Sequence, residues 1–228
     1  MKGDMTLDSV LYLGLAVVYA ALLLYGCVLM KRDSSPGLRY LLLIVTAGLV
    51  WDNGVIGIGK YIGEGDLLQG LNVTRFWVHA LATPLLVLVS FDLIRKAGSP
   101  WANKRAAAWG AWILTAALIV LEVLTETLPL KLQPSMEYGA LRYVPTESGG
   151  PPLMVILILI PLLMAGVIVW RRKRTPLLFI GTVLMAAGSA ISIPIESSAA
   201  TNVFELLLLL SLWLTVRKLA SYRTLSFR

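Results

Sequence analysis

Seven apolar runs, each about as long as a helix needs to cross a bilayer, constrain this chain more than any motif in it. A hydrocarbon core about 30 Å thick takes about 20 apolar residues of helix. The runs read as spans at residues 8–30, 39–62, 76–95, 106–128, 152–170, 176–196 and 202–219. The expected fold is all-α: a polytopic membrane protein, a single seven-transmembrane-helix bundle over residues 1–228. Only 14% of the residues are charged and 57% are hydrophobic. A soluble domain carries about a quarter charged residues. A soluble enzyme, a DNA-binding domain and a disordered chain are excluded. The first span is too long for the apolar core of a signal peptide, and Lys31–Arg32 follows it, so it is expected to be retained.

Lys and Arg set the orientation. One side would hold Lys31, Arg32, Arg39, Arg95, Lys96, Lys104, Arg105, Arg171, Arg172, Lys173, Arg174, Arg217, Lys218, Arg223 and Arg228. The other would hold Lys2, Lys60, Arg75, Lys131 and Arg142. Of the acids, only Asp33 and Asp92 fall on the richly basic side. The N-terminus is therefore expected outside and the C-terminus in the cytoplasm. The net charge of +7 follows from this topology, and no nucleic-acid partner is expected. The short basic loops suit anionic membrane lipids. The expected location is a plasma membrane in a bacterium, or the endoplasmic reticulum in a eukaryote. The longest connection, residues 129–151, has Pro129, Pro134, Pro145, Gly149, Gly150 and Pro151. It is expected to be irregular and to cap the outer mouth of the bundle. No internal repeat supports an inverted-repeat transporter. One cysteine, Cys27, and one histidine, His79, argue against a disulfide or a multi-ligand metal site.

The polar groups inside the spans carry the functional signal. At roughly 1.5 Å per residue from the basic anchors, Asp52 lies roughly 20 Å up, Glu205 roughly 18 Å and His79 roughly 24 Å. Ser189 lies roughly 22 Å up and Glu122 roughly 26 Å. Five helices thus place polar groups in one layer, with almost nothing ionisable beneath it. An acid facing lipid at such depth costs a few kcal/mol. The expected solution is a shared pocket, open outward and closed below by Leu, Val and Ile, with Asp52 and Glu205 as its deepest carboxyls. Blander readings stand beside this one. Asp52–Asn53 would bond a neighbouring helix, Glu205 would reach the interface, and His79 would be structural. Glu122, Glu126 and Glu196 would be solvated, while Arg75 and Lys60 would anchor helix ends or pair with the acids. Most of the seven tryptophans suit a membrane-interface belt, but Trp51 beside Asp52 does not.

At LVWDNGVI and FELLLLLSLW the chain resembles the small seven-helix membrane terpene cyclases of fungal meroterpenoid and indole-diterpene pathways. Those proteins have an acid directly after a Trp in the second span. They have another acid near the start of the last span, with a Trp eight positions on. The resemblance implies proton-donating acids at Asp52 and Glu205. The acid identities are exchanged relative to the family's usual Glu then Asp. Such an enzyme protonates an epoxide or alkene of a polyprenyl or lipid-like substrate and guides a carbocation through ring closure. It needs a carboxyl that holds its proton near neutral pH, which apolar surroundings and a second carboxyl both favour. Aromatic faces stabilise cations. The candidate substrate-binding residues are Trp51, Asn53, Phe76, Trp77, His79, Ser189, Phe204 and Trp213. No cofactor and no metal are expected.

Other classes compete. A retinal receptor needs a lysine in the middle of the last span, whereas Lys218 lies at its end. A seven-helix zinc hydrolase needs three histidines. A transporter, or a non-catalytic lipid-binding protein, remains the alternative, since intramembrane acids also mark ion pathways.

Overall fold

A computed structural model describes residues 7–146, 153–190 and 197–225, with side chains through residue 220. Helix α1 spans Leu7–Arg32, and α2 spans Leu42–Ile62 after a 3-10 turn at Leu38–Leu41. Helices α3 (Asp66–Ala82) and α4 (Leu85–Lys96) run on through Thr83–Pro84. Helix α5 (Arg105–Glu122) closes in a π-helical turn, Val123–Thr127. Strands β1 (Leu132–Glu137) and β2 (Ala140–Pro145) follow, then α6 (Leu153–Lys173), α7 (Leu177–Ala190) and α8 (Ala200–Leu225).

Among the described residues, five helical stretches are long and apolar enough to cross a membrane: Leu7–Arg32, Leu38–Ile62, Asp66–Lys96, Arg105–Thr127 and Leu153–Lys173. Apolar side chains cover the outside. Val17, Leu24, Ile113 and Ile160 are 69, 68, 64 and 63% exposed, which suits contact with lipid rather than water. The protein is a membrane-embedded helical bundle. Residues 191–196 of the expected sixth span lie outside the described residues, as do Pro194 and Glu196.

Helix α1 packs along α2, α6 against α7 and α4, and α7 against α8. Trp213 of α8 is fully buried and donates its indole N–H to Thr46 Oγ1 of α2 at 3.1 Å. Gly26 of α1 makes room for it, since a Cβ there would come within 2.3 Å of the ring. Three helices thus close around one tryptophan.

The basic end is held by buried charge. Arg39, 2% exposed, donates from Nη1 to Asp92 Oδ2 at 2.8 Å and from its backbone N–H to the same oxygen at 3.1 Å. Its Nη2 donates to Asp33, and to the Ser35 carbonyl at 2.7 Å. Asp92 also accepts from Arg95 at 2.5 Å. Burial alone would raise the Asp33 carboxyl, but the Ser35 N–H, Arg39 and Tyr40 together hold it below its ordinary value. A buried carboxylate paired in this way ties the chain entering α2 to α4.

Two features differ from the sequence expectation. Residues 129–151 were expected to be irregular, yet Leu132–Glu137 pairs antiparallel with Ala140–Pro145. Tyr138 and Gly139, with φ of 48° and 82°, form the two-residue turn with positive φ that favours a hairpin. The third span was expected at 76–95, but its helix begins at Asp66. Asp66, Gln69 and Arg75 lower the mean hydropathy of that first stretch, while Leu68 and Asn72 on one face are fully buried. Amphipathicity sustains the helix where bulk hydropathy ends. Pro84 lacks an N–H and breaks the run between α3 and α4.

The hairpin is seated over one end of the bundle. Asp8 N–H donates to the Tyr138 carbonyl at 3.2 Å, and Ser9 Oγ to that of Gly139 at 2.8 Å. The Asp8 carboxylate accepts from Ser197 Oγ, and from Ser198 N–H and Oγ, at 2.6–2.7 Å. The latch therefore joins α1, the chain before α8 and the hairpin. Beneath it, a Cβ on Gly59 would lie 2.0 Å from the Leu141 carbonyl oxygen, whereas one on Gly70 would meet nothing within 4 Å. Gly59→Ala should therefore destabilise the protein by about 1–3 kcal/mol, and Gly70→Ala should be neutral or stabilising. Thermal unfolding in detergent of both variants checks the contrast.

Candidate functional site

The cavity at the centre of the bundle follows from helical spacing. Val45, Leu49 and Asp52 share one face of α2, and Arg75 and His79 one face of α3. Glu205, Leu208 and Leu209 do the same on α8. These faces converge with α6 on one chamber. Its walls are mainly Val45, Leu49, Leu86, Ile158, Leu162 and Leu208. A second chamber adjoins it toward the hairpin, lined by Tyr12, Phe76, Glu122, Glu126, Arg142 and Asn202, among others. Both are lined by Leu49, Asp52, Arg75, His79 and Glu205. Four ionisable side chains therefore form a collar between a greasy chamber and a polar vestibule.

The collar is internally ordered. Arg75 Nε donates to Asp52 Oδ1 at 2.9 Å, and Arg75 Nη1 to Asn72 Oδ1 at 2.5 Å. Asn72 is fully buried, so it fixes the guanidinium from the hairpin side of the same helix face. His79 Nδ1 lies 3.3 Å from Thr83 Oγ1. Glu205 makes no ion pair among the described residues. One turn before it, Asn202 Nδ2 donates to Asn53 Oδ1 of α2 at 3.1 Å, and the Asn202 carbonyl accepts from Tyr19 of α1. This bond holds α2 and α8 in register beside the two acids. In the vestibule, Arg142 pairs with Glu137 at 2.7 Å and lies 3.5 Å from the Tyr12 hydroxyl.

Of the residues singled out from sequence, Asp52, His79, Glu205 and Phe76 line the cavity. Six expected wall residues do not. Trp51 is 41% exposed and donates to Thr74 Oγ1 at 3.0 Å, because adjacent helical residues point about 100° apart. Trp77 and Ser189 are exposed. Phe204 packs on Gly188, and Trp213 is bonded to Thr46. Asn53 is buried and reaches the site only through Asn202. Glu122 and Glu126, read as solvated, line the vestibule one turn apart.

Two cations at the cavity were missed or underused. Arg75 was read as a helix anchor or an acid's partner, and the structure makes it the partner of Asp52. The spacing of Arg75 and His79, one turn apart on one face of the helix, was the available signal. Arg142 arrives on a strand that was not expected, so nothing in the local pattern pointed to it. No protein-family model matches the chain, and no curated protein sequence matches it either.

The Asp52 and Arg75 side chains are 25% and 11% exposed. Breaking a fully buried pair from one side costs about 3–5 kcal/mol, so this half-buried one should cost less, about 2 kcal/mol. Arg75→Met should destabilise by that amount, and Arg75→Met with Asp52→Asn should recover most of it. A double-mutant cycle by detergent-phase unfolding measures the coupling, and strict additivity would remove it.

Proposed function

We propose that this protein is an intramembrane enzyme acting on an isoprenoid or lipid-like substrate, most specifically an acid-initiated terpene cyclase. The observation that carries the reading is the collar. Glu205, which makes no ion pair among the described residues, borders a greasy chamber that also meets the Asp52–Arg75 pair. Such a cavity is amphipathic along its axis and suits a long molecule with one polar reacting group.

The two acids take different roles in this reading. Asp52 is engaged by Arg75, so Glu205 is the general acid and Asp52 its partner. Glu205 gives its proton to an epoxide oxygen or an alkene carbon of the substrate. The C–O bond opens, or the π bond is consumed, leaving a carbocation that the next alkene attacks. A final C–H proton returns to a carboxylate of the collar, so the product is an isomer of the substrate. The Asp52 carboxylate and the Phe76 ring lie where a developing cation gains from them. His79 relays or orients protons at the collar. Val, Leu and Ile below exclude water that would otherwise trap the cation.

The topology belongs to the same proposal. Helix α7 and the 26-residue α8 add the sixth and seventh crossings, with the hairpin outside and the Arg39 end in the cytoplasm. The membrane is the plasma membrane of a bacterium or the endoplasmic reticulum of a eukaryote. Reporter fusions after residue 2 and after residue 228 should read opposite sides, and the same side for both would overturn this arrangement.

Purified protein incubated with polyprenyl epoxides and polyprenylated aromatics should yield cyclised isomers by mass spectrometry. Glu205→Gln should lower turnover by about 10²–10⁴-fold while melting stays within about 1 kcal/mol of the parent. No product from a verified fold would end the enzyme reading and leave a lipid-binding or transport protein.

A further inference from the structure

The greasy chamber has a consistent depth on three walls. On α2, the collar residue Asp52 lies seven positions above Val45. On the α3–α4 wall, His79 lies seven positions before Leu86. On α6, the lining runs from Val155 down to Leu162, again seven positions. Each pair bounds the lining of its wall below the collar. Seven residues are about two helical turns, roughly 10 Å. The lower members, Val45, Leu86 and Leu162, are 4, 4 and 1% exposed, so the chamber ends at them.

The helix that carries Val45 is held firmly beside it. Thr46, next to Val45, accepts the indole N–H of Trp213, and Thr46 itself donates to the Leu42 carbonyl at 2.7 Å. The ring leaves no space for even a methyl group at Gly26. Both Thr46 and Trp213 are fully buried. A longer apolar tail would have to push between the buried side chains that close the chamber, and such interiors resist extra volume. The end of the chamber is therefore a stop and does not yield gradually.

We propose that the chamber measures its ligand: the apolar segment below the polar reacting group spans about two isoprene units, and the remainder of the substrate occupies the vestibule. Leu162 and Val45 are the specificity-determining residues for that length. The inference rests on the reading of the cavity as an amphiphile site. It does not require that the bound amphiphile react.

Linear prenyl alcohols of one to four isoprene units, added to the purified full chain in detergent, test it by thermal stabilisation and by the dissociation constants derived from it. Affinity should rise by about tenfold from the first to the second unit and gain nothing from a third or fourth. Leu162→Ala should admit the third unit, with a gain of about tenfold. Val45→Leu, which fills rather than empties the floor, should weaken the two-unit alcohol relative to the one-unit alcohol. A steady rise through four units in the parent would overturn the proposal. So would an unchanged length profile in both variants. A length limit without cyclised product would retain the measuring chamber and remove the cyclase. No binding by any alcohol would remove both.

Discussion

An ionisable side chain inside an apolar bundle has to be paired, bonded or turned toward a polar cavity, because leaving it to hydrocarbon costs several kcal/mol. Each end of this molecule, and its centre, solves that problem differently. At the basic end Arg39 satisfies two aspartates and is nearly sealed from solvent. At the hairpin end Asp8 is satisfied by two serines that precede α8. At the centre Asp52 has Arg75, while Glu205 has a cavity. The first two solutions fasten the chain, and only the third leaves a polar group facing open space. That difference sets the centre apart from the two ends.

The cavity exists because helices approach closely around it but not across it. Gly57 accepts Leu13 of α1, Gly166 accepts the backbone of Phe179, and Gly181 and Gly188 accept Ser211 and Phe204 of α8. These contacts bring α1 to α2, α6 to α7 and α7 to α8. Beside the acids, α2 and α8 meet through Asn53 and Asn202, two polar side chains spanning a wider gap. The residues lining the space below them are bulky and apolar, and those above are polar. A chamber that changes character along its length can orient an amphiphile before any chemistry occurs, and orientation is a large share of what a cyclase has to supply.

Much of this arrangement was legible in the chain. Counting residues from the basic anchors put Asp52, His79 and Glu205 at one depth, and all three line the cavity. The count works because helix rise is constant and the anchors are tied to the membrane surface. It fails for direction around the helix axis. Trp51 and Phe204 are sequence neighbours of the two acids but project from other faces, and Trp213 turns toward α1 and α2. The hairpin was hidden by its prolines, which suggested irregular chain. Pro134 and Pro145 sit in the two-stranded ribbon itself, where each strand has an unpaired edge and a missing N–H is tolerated.

Hydropathy, the spacing of basic residues and the depth of the acids are additive properties of a chain, so the helices, the apolar exterior and the polar layer follow from the sequence alone. Which acid would keep a cation and which would face the cavity is not additive. It depends on Arg75 reaching across from α3 to Asp52, and on Asn202 of α8 meeting Asn53 of α2 beside the two acids. Those choices are made by helix rotation and by packing between distant segments, and only the tertiary structure decides them.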